Sequence, residues 1–141
     1  DRGIIRLMLR VRRVYEPPEP QDGFRVLVDR LWPRGLSKEA ARVDLWAREL
    51  APSDRLRRWF GHDPVKWEEF RRRYREELSR SPARELVQQL AERARHGTVT
   101  LVFGARDERH NNAVVLAEVL QERLAGTSGK QLSAARRRRA P

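Results

Sequence analysis

The spacing of hydrophobic residues changes along the chain from the period of strands to that of helices and back. Residues 5–11 alternate between apolar and polar side chains, which predicts a half-buried strand. Residues 24–28 and 98–103 are nearly continuous apolar runs, typical of the buried strands of a parallel sheet. The proline-rich segment 16–23 predicts a loop between the first two strands. This loop is short for a parallel crossover, so the direction of the first strand is left open.

Helical spacing dominates the region between the two buried runs and returns after the second. Apolar residues recur every three or four positions in segments 67–78 and 86–94, which predicts two amphipathic helices. A shorter helical turn is predicted over 44–50, with Asp44 as its cap. The apolar positions of 113–124 predict a final helix.

The order of strand, helices, strand and helix predicts the fold class, because such a unit places its strands in parallel. We expect an α/β protein: a small three-layer sandwich whose sheet of few strands is mostly parallel and carries helices on both faces. Residues 1–125 are expected to form this single domain. Residues 126–141 contain Gly, Ser, Lys, Ala and Arg without a core pattern, and they predict a basic, disordered tail.

The composition excludes several classes of chemistry. The chain contains no cysteine, so disulfides, thiolate zinc sites and cysteine nucleophiles are excluded. It has no glycine-rich phosphate loop and no spacing of a dedicated zinc site, so no metal is predicted and the cofactor is left open. No run approaches the ~20 apolar residues of a membrane span, and no signal segment is recognised. We therefore expect a cytoplasmic protein without membrane contact.

The positive charge is unevenly distributed. The net charge is +11, and five positive charges without any acidic residue lie in segment 126–141, which leaves +6 for the rest of the chain. This charge and the four tryptophans raise an alternative function, nucleic-acid binding. We expect such binding to be independent of sequence and strongly dependent on salt. It would act through the run at the end of the tail, Arg136, Arg137, Arg138 and Arg139.

Two polar clusters each follow a predicted buried strand. Residues 29–35 follow the run 24–28, and residues 106–112 follow the run 98–103. The carboxyl ends of parallel strands meet at one edge of the sheet, which is where open α/β sheets bind ligands. We therefore expect a cleft at this edge that accepts an anion, a phosphate or a carboxylate, in a protein with or without enzymatic activity. A non-catalytic module that binds a protein partner is a further alternative.

The residue types in these clusters suggest two roles. Carboxylates and imidazoles can move protons near neutral pH, and the candidate catalytic residues are Asp29, His62, Asp107 and His110. Guanidinium groups beside an aromatic ring and an amide suit an anionic ligand, and the candidate ligand-binding residues are Arg30, Trp32, Arg34, Arg106 and Asn111.

Each candidate also has a structural interpretation. Asp29 could form a salt bridge with Arg30 or Arg34, and Trp32 could belong to the core. Asn111 could act only as the cap of the final helix. A local hydrogen bond could equally satisfy His62. The sequence leaves these alternatives open.

Four segments of the chain resemble the YeaO-like proteins, a bacterial and archaeal family known mainly as a domain of unknown function. The segments are 28–38, 50–53, 59–64 and 107–116, within a resemblance that covers about residues 4–124. The resemblance implies a small α/β three-layer fold and no established reaction. The chain departs from the family pattern in its arginine tail and in segment 103–106, where an aromatic-Ala-Ala-Lys sequence is more usual.

Overall fold

The fold is built on one parallel sheet. The structure, a computed structural model, describes residues 8–139 and the side chains of residues 8–126. Four strands pair in the order β1-β4-β2-β3 and are parallel throughout: β1 (Leu9–Arg13), β2 (Phe24–Leu27), β3 (Leu45–Trp46) and β4 (Val99–Phe103). The direction that the sequence left open for β1 is therefore parallel to β4. The predicted start of this strand, before residue 8, lies outside the described residues.

Helices cover both faces of the sheet, as expected for a small α/β fold. They are α1 (Lys38–Ala41), α2 (Asp54–Phe60), α3 (Trp67–Leu78), α4 (Ala83–Ala94) and α5 (Asn112–Arg139). Within residues 8–139, none of them is long and apolar enough to cross a membrane. Helix α5 continues past residue 126, where description of the side chains ends. The division into a domain over 1–125 and a disordered tail over 126–141 stays a prediction.

The two faces of the sheet are covered unequally because side chains alternate between them. Val26 and Leu101 point to a large core shared with α3, α4 and α5. Leu27 and Val102 point to the other side, where a much smaller cluster is closed by α1 and by loop residues such as Trp32. The thick helical layer supplies most of the buried apolar contact, and the thin layer leaves room for polar interactions.

The predicted helical turn over 44–50 is wrong in its first half. Leu45–Trp46 is the edge strand β3, because Asp44 and Ala47 bond to the backbone of β2 on either side of it. The Asp44 carboxylate accepts the Arg25 N–H at 2.8 Å instead of capping a helix. Only Arg48–Leu50 is helical, as a single 3₁₀ turn.

A buried ion-pair network, which we call the Asp22 network, lies at the amino ends of the strands. The carboxylate of Asp22 accepts hydrogen bonds from three guanidinium groups, those of Arg10 at 2.7 Å, Arg12 at 2.9 Å and Arg25 at 2.6 Å. Burial alone would raise the pKa of Asp22, but the Glu19 backbone N–H, Arg25 and Arg12 hold that pKa below its usual value. The network joins β1 and β2 across the intervening strand β4.

Candidate functional site

A cleft of about 550 Å³ opens at the opposite, carboxyl edge of the sheet. Both polar clusters reach it, because β2 and β4 are neighbours and end at the same edge. Seven of the nine predicted site residues line the cleft: Asp29, Arg30, Trp32, Arg34, His62, His110 and Asn111. The remaining two, Arg106 and Asp107, lie outside its lining.

Asp29 joins the ends of the two central strands at the base of the cleft. Its Oδ2 accepts the backbone N–H of Gly104 at 2.7 Å, and its Oδ1 accepts an N–H of Asn112 at 3.2 Å. Burial raises the pKa of Asp29, and these hydrogen bonds and the charge of His62 offset only part of that rise. Across residues 8–126, Asp29 forms no salt bridge, so the suggested pairing with Arg30 or Arg34 is not present.

Three arginines line the cleft, and they differ in how they are held. Arg30 donates to the backbone oxygen of Pro52 at 3.3 Å and lies 3.7 Å from Asp54. Arg57 also bonds to Asp54, at 3.2 Å. Arg34 is exposed, and its guanidinium group has no salt bridge or hydrogen bond among the described residues. Arg34 is therefore the cation with most capacity for a ligand.

The loop that carries Arg34 is braced by aromatic side chains. The indole N–H of Trp32 donates to the Leu36 oxygen at 2.6 Å, and Trp46 donates to the Asp29 oxygen at 2.8 Å. The two indole rings meet edge to face at 5.4 Å. The hydroxyl of Tyr15 donates to the backbone oxygen of Arg34 itself, at 3.0 Å. Trp32 thus both anchors the loop and lines the cleft.

His110 is positioned by Asp107. Its ring Nδ1 lies 2.8 Å from Asp107 Oδ2, and Nδ1 donates in this bond because an ionised carboxylate only accepts. The same carboxylate also accepts the backbone N–H groups of Arg109 and His110. The bond from the His110 ring is the largest of the effects that lower the pKa of Asp107. The ring of His110 packs edge-on against Trp67 at 5.1 Å.

The helix α5 begins beside this pair. Asn111 caps it by accepting the Val114 N–H at 3.1 Å, so the predicted capping role is confirmed. The side chain of Asn111 also donates to the Asp107 oxygen at 2.9 Å. Because Asn111 is almost fully buried, its contribution to the cleft is mainly to fix the start of the helix.

His62 lies in a strained turn between α2 and α3. His62 has a φ of 57° and the preceding Gly61 a φ of 52°, so both residues are left-handed. This conformation is uncommon for a residue with a Cβ atom, such as His62. The ring is exposed, lies 6.2 Å from the ring of Phe60, and accepts or donates no hydrogen bond within residues 8–126. The local hydrogen bond suggested as its structural role is therefore not present.

Some residues of the site are not evident from the sequence patterns. Asn112 holds both Asp29 and the Val28 backbone oxygen, the latter at 2.7 Å. Arg57 lines the cleft from α2, and its helical position resembles that of any solvated arginine. Gly104 supplies the N–H that fixes Asp29, and its place directly after β4 is the one sequence signal that could have identified it.

Groups of three or more metal-ligating side chains are absent from the part of the chain that the structure describes.

The all-parallel sheet of four strands, with helices on both faces and a cleft at its carboxyl edge, defines a small α/β protein. The chain belongs to the DUF488-N3i family, whose description is "Inactive DUF488-N3 subclade" and whose profile matches residues 8–137. It is similar to the uncharacterized protein YeaO of Escherichia coli, with 39% identity over 113 residues, 80% of this chain and 96% of that protein.

Uncharacterized proteins of two mycobacteria are also similar. Those of Mycobacterium tuberculosis (strain H37Rv) and Mycobacterium bovis are each 44% identical over 115 residues, 82% of this chain and 95% of each relative. The YeaO-like resemblance expected from the sequence motifs is therefore confirmed. No solved structure is detectably similar to the chain.

Proposed function

We propose that the protein binds a small anion, a phosphate or a carboxylate, in the cleft at the carboxyl edge of the sheet. One observation carries the proposal: the cleft is lined by three arginines and two histidines against a single carboxylate, that of Asp29. Arginine presents a planar fork of donors that matches phosphate and carboxylate oxygens. The proposal takes the protein to be cytoplasmic, as expected from the sequence.

Arg34 is the expected primary contact for this anion. Its guanidinium group is not engaged by any acidic side chain of residues 8–126, whereas Asp54 holds Arg30 and Arg57. The bracing of its loop by Trp32 and Tyr15 supports binding, because a loop whose backbone is already ordered loses less conformational entropy when a ligand binds.

Calorimetric titration of the protein with inorganic phosphate and with small carboxylates tests the proposal. Saturable binding that Arg34→Lys weakens, without a change in melting temperature, is expected, because lysine cannot reproduce the bidentate fork. The matched control is Arg80→Lys, since Arg80 is exposed and lies outside the cleft. A ligand at 100 times its dissociation constant should raise the free energy of unfolding by about 2.7 kcal/mol. Equal affinity of the Arg34→Lys and Arg80→Lys proteins would contradict the assignment.

Catalysis is a second candidate, favoured by the contact between Asp107 and His110. A carboxylate that holds Nδ1 of an imidazole leaves Nε2 as the nitrogen for proton transfer. The description of the family as inactive favours binding without turnover. Chromatography of a bound ligand after long incubation distinguishes the two. Conversion that His110→Gln abolishes would support catalysis, and recovery of unchanged ligand would support a binding module.

Nucleic-acid binding through the run Arg136, Arg137, Arg138 and Arg139 is a separate proposal. The four tryptophans give it no support, since Trp32, Trp46, Trp59 and Trp67 are all half-buried and packed against the two hydrophobic clusters. Binding is therefore expected to depend on the tail and to fall steeply with salt. Comparison of the full chain with a 1–125 truncation on labelled RNA and DNA tests this, and sequence-selective binding by the truncated protein would contradict it.

A further inference from the structure

The base of the cleft and its rim have opposite electrostatic preferences. Arg34 lies on the exposed rim and attracts an anion. Asp29 lies half-buried at the base, where its carboxylate repels an anion and accepts hydrogen bonds. Its two bonds, from Gly104 and Asn112, leave lone pairs unused, because a carboxylate offers about four acceptor positions. The part of a ligand that reaches the base must therefore carry no negative charge and must present a donor.

The walls between rim and base are largely apolar. They include Leu31, Ala51, Pro52, Phe60 and Ala105. Leu31 is 67% exposed, which leaves its surface available to a ligand. A flat, weakly hydrated group against Leu31 and Ala105 would bury apolar surface that water now contacts, whereas Ala51, Pro52 and Phe60 are already buried in the fold.

We propose that the anion bound by the cleft is a nucleoside monophosphate whose base carries an exocyclic amino group, such as AMP. The inference rests on the proposed anion-binding function and names its ligand class. The phosphate lies at Arg34, the planar base lies between the apolar walls, and the amino group donates to Asp29. A volume of about 550 Å³ falls within the range of ~300–1,000 Å³ that is usual for pockets of such ligands.

Each part of the ligand contributes separately, so a graded set of compounds tests the inference. Calorimetric titrations would use AMP, inosine monophosphate, ribose 5-phosphate and inorganic phosphate. AMP is expected to bind more tightly than each of the others by on the order of tenfold or more, since each lacks the amino group or the whole base. Inosine monophosphate has a carbonyl oxygen in place of the amino group that would meet Asp29 and carries a proton on N1, so it tests whether that amino group in particular is needed.

Variants of the cleft should separate the two ends of the ligand. Asp29→Asn is expected to weaken AMP by on the order of tenfold while leaving inorganic phosphate unchanged or tighter, because it removes both an acceptor and a repelling charge. Arg34→Ala is expected to weaken both compounds. Leu31→Ser should weaken AMP alone, and its control is Val65→Ser, because Val65 is 92% exposed and lies outside the cleft.

The outcomes distinguish failure of this inference from failure of the proposed function. Equal affinities for AMP and ribose 5-phosphate would overturn the inference and leave anion binding intact. Equal affinities for AMP and inosine monophosphate would overturn the assignment of the amino group to Asp29. If Asp29→Asn weakens AMP and inorganic phosphate equally, Asp29 only supports the fold and the inference fails. Absence of binding by all four compounds and by small carboxylates would overturn the proposed function itself.

Discussion

Two aspartates at opposite edges of the same sheet have opposite environments. Asp22, at the amino edge, is fully buried and accepts hydrogen bonds from Arg10, Arg12 and Arg25. The Glu19 backbone N–H, Arg25 and Arg12 hold its pKa below the usual value. Asp29, at the carboxyl edge, is half-buried, lacks a salt bridge among the described residues, and has its pKa raised by burial. The first carboxylate is fully used by the fold. The second has acceptor positions that its hydrogen bonds leave unused, which is the difference expected between a structural carboxylate and one proposed to bind a ligand.

The largest expected effect comes from neutralising the structural carboxylate. Asp22→Asn leaves Arg25 buried with a weakened partner and removes the charge that holds Arg10 and Arg12, so we expect a loss of roughly 3–5 kcal/mol in the free energy of unfolding. Urea denaturation measures it. The matched control is Asp29→Asn, which keeps one acceptor and is expected to change stability by less than about 1 kcal/mol. Equal losses in the two variants would contradict the comparison.

The next effect concerns Gly23, the residue after Asp22. Its φ of 60° is left-handed, and a Cβ atom there would lie 2.4 Å from the backbone oxygen of Thr98. Backbone strain and steric overlap both oppose a side chain, so Gly23→Ala should cost at least about 2 kcal/mol. Thermal and urea denaturation measure the loss. Gly35→Ala separates the two causes, because Gly35 has a φ of 76° but open space around it. A loss no larger than that of Gly35→Ala would mean that Thr98 moves aside.

The dependence of stability on pH should also differ between the two edges. Asp22 binds fewer protons in the folded state than in the unfolded state, so its contribution is present above its ordinary pKa and is lost as the pH falls through its lowered, folded-state pKa. Asp29 binds more protons when folded, so its effect on stability becomes unfavourable as the pH rises from its ordinary pKa through its raised one.

Urea denaturation of the wild-type protein and of Asp29→Asn from about pH 4 to about pH 7 measures this second contribution. The free energy of unfolding of the Asp29→Asn protein, relative to that of the wild-type protein, is expected to increase as the pH rises through this range. A relative stability that decreases as the pH rises would show that ionised Asp29 stabilises the fold and that the comparison is wrong.

The carboxyl edge was predictable from the sequence, and the amino edge was not. Strand order and parallel direction suffice to bring residues after β2 and β4 together, so Asp29 and His110 could be placed at one cleft. The Asp22 network joins residues of two strands that do not pair with each other. Arg10 and Arg12 appear in the sequence only as the polar positions of a half-buried strand, and nothing local indicates that they meet a buried acid.

Other differences between the predictions and the structure have local physical causes. Leu45–Trp46 is too short to show the alternation of a strand, and Asp44 is a residue type that caps helices as readily as it accepts an edge N–H. Arg106 and Asp107 follow β4 in the polar cluster, but the Asp107 carboxylate accepts bonds from the backbone of 109 and 110, and His110 rather than Arg106 or Asp107 lines the cleft. Such choices depend on side-chain geometry that spacing does not encode.

The smallest expected effect on stability sharpens the comparison most, because the change affects Asp29 and not Asp22. Gly104 lacks the positive φ of Gly23, and a Cβ atom there would lie 3.2 Å from Asp29 Oδ2, so a shift of a few tenths of an ångström relieves the contact. Gly104→Ala should therefore change the free energy of unfolding by less than about 1 kcal/mol. It should nevertheless weaken ligand binding, because Asp29 is displaced at the base of the cleft. Gly97→Ala, where nothing lies within 4 Å of the added atom, is the control for both measurements. If the Gly104→Ala protein binds ligand as tightly as the Gly97→Ala protein, the position of Asp29 is not critical for binding. The proposal that Asp29, unlike Asp22, contacts a ligand would then be contradicted.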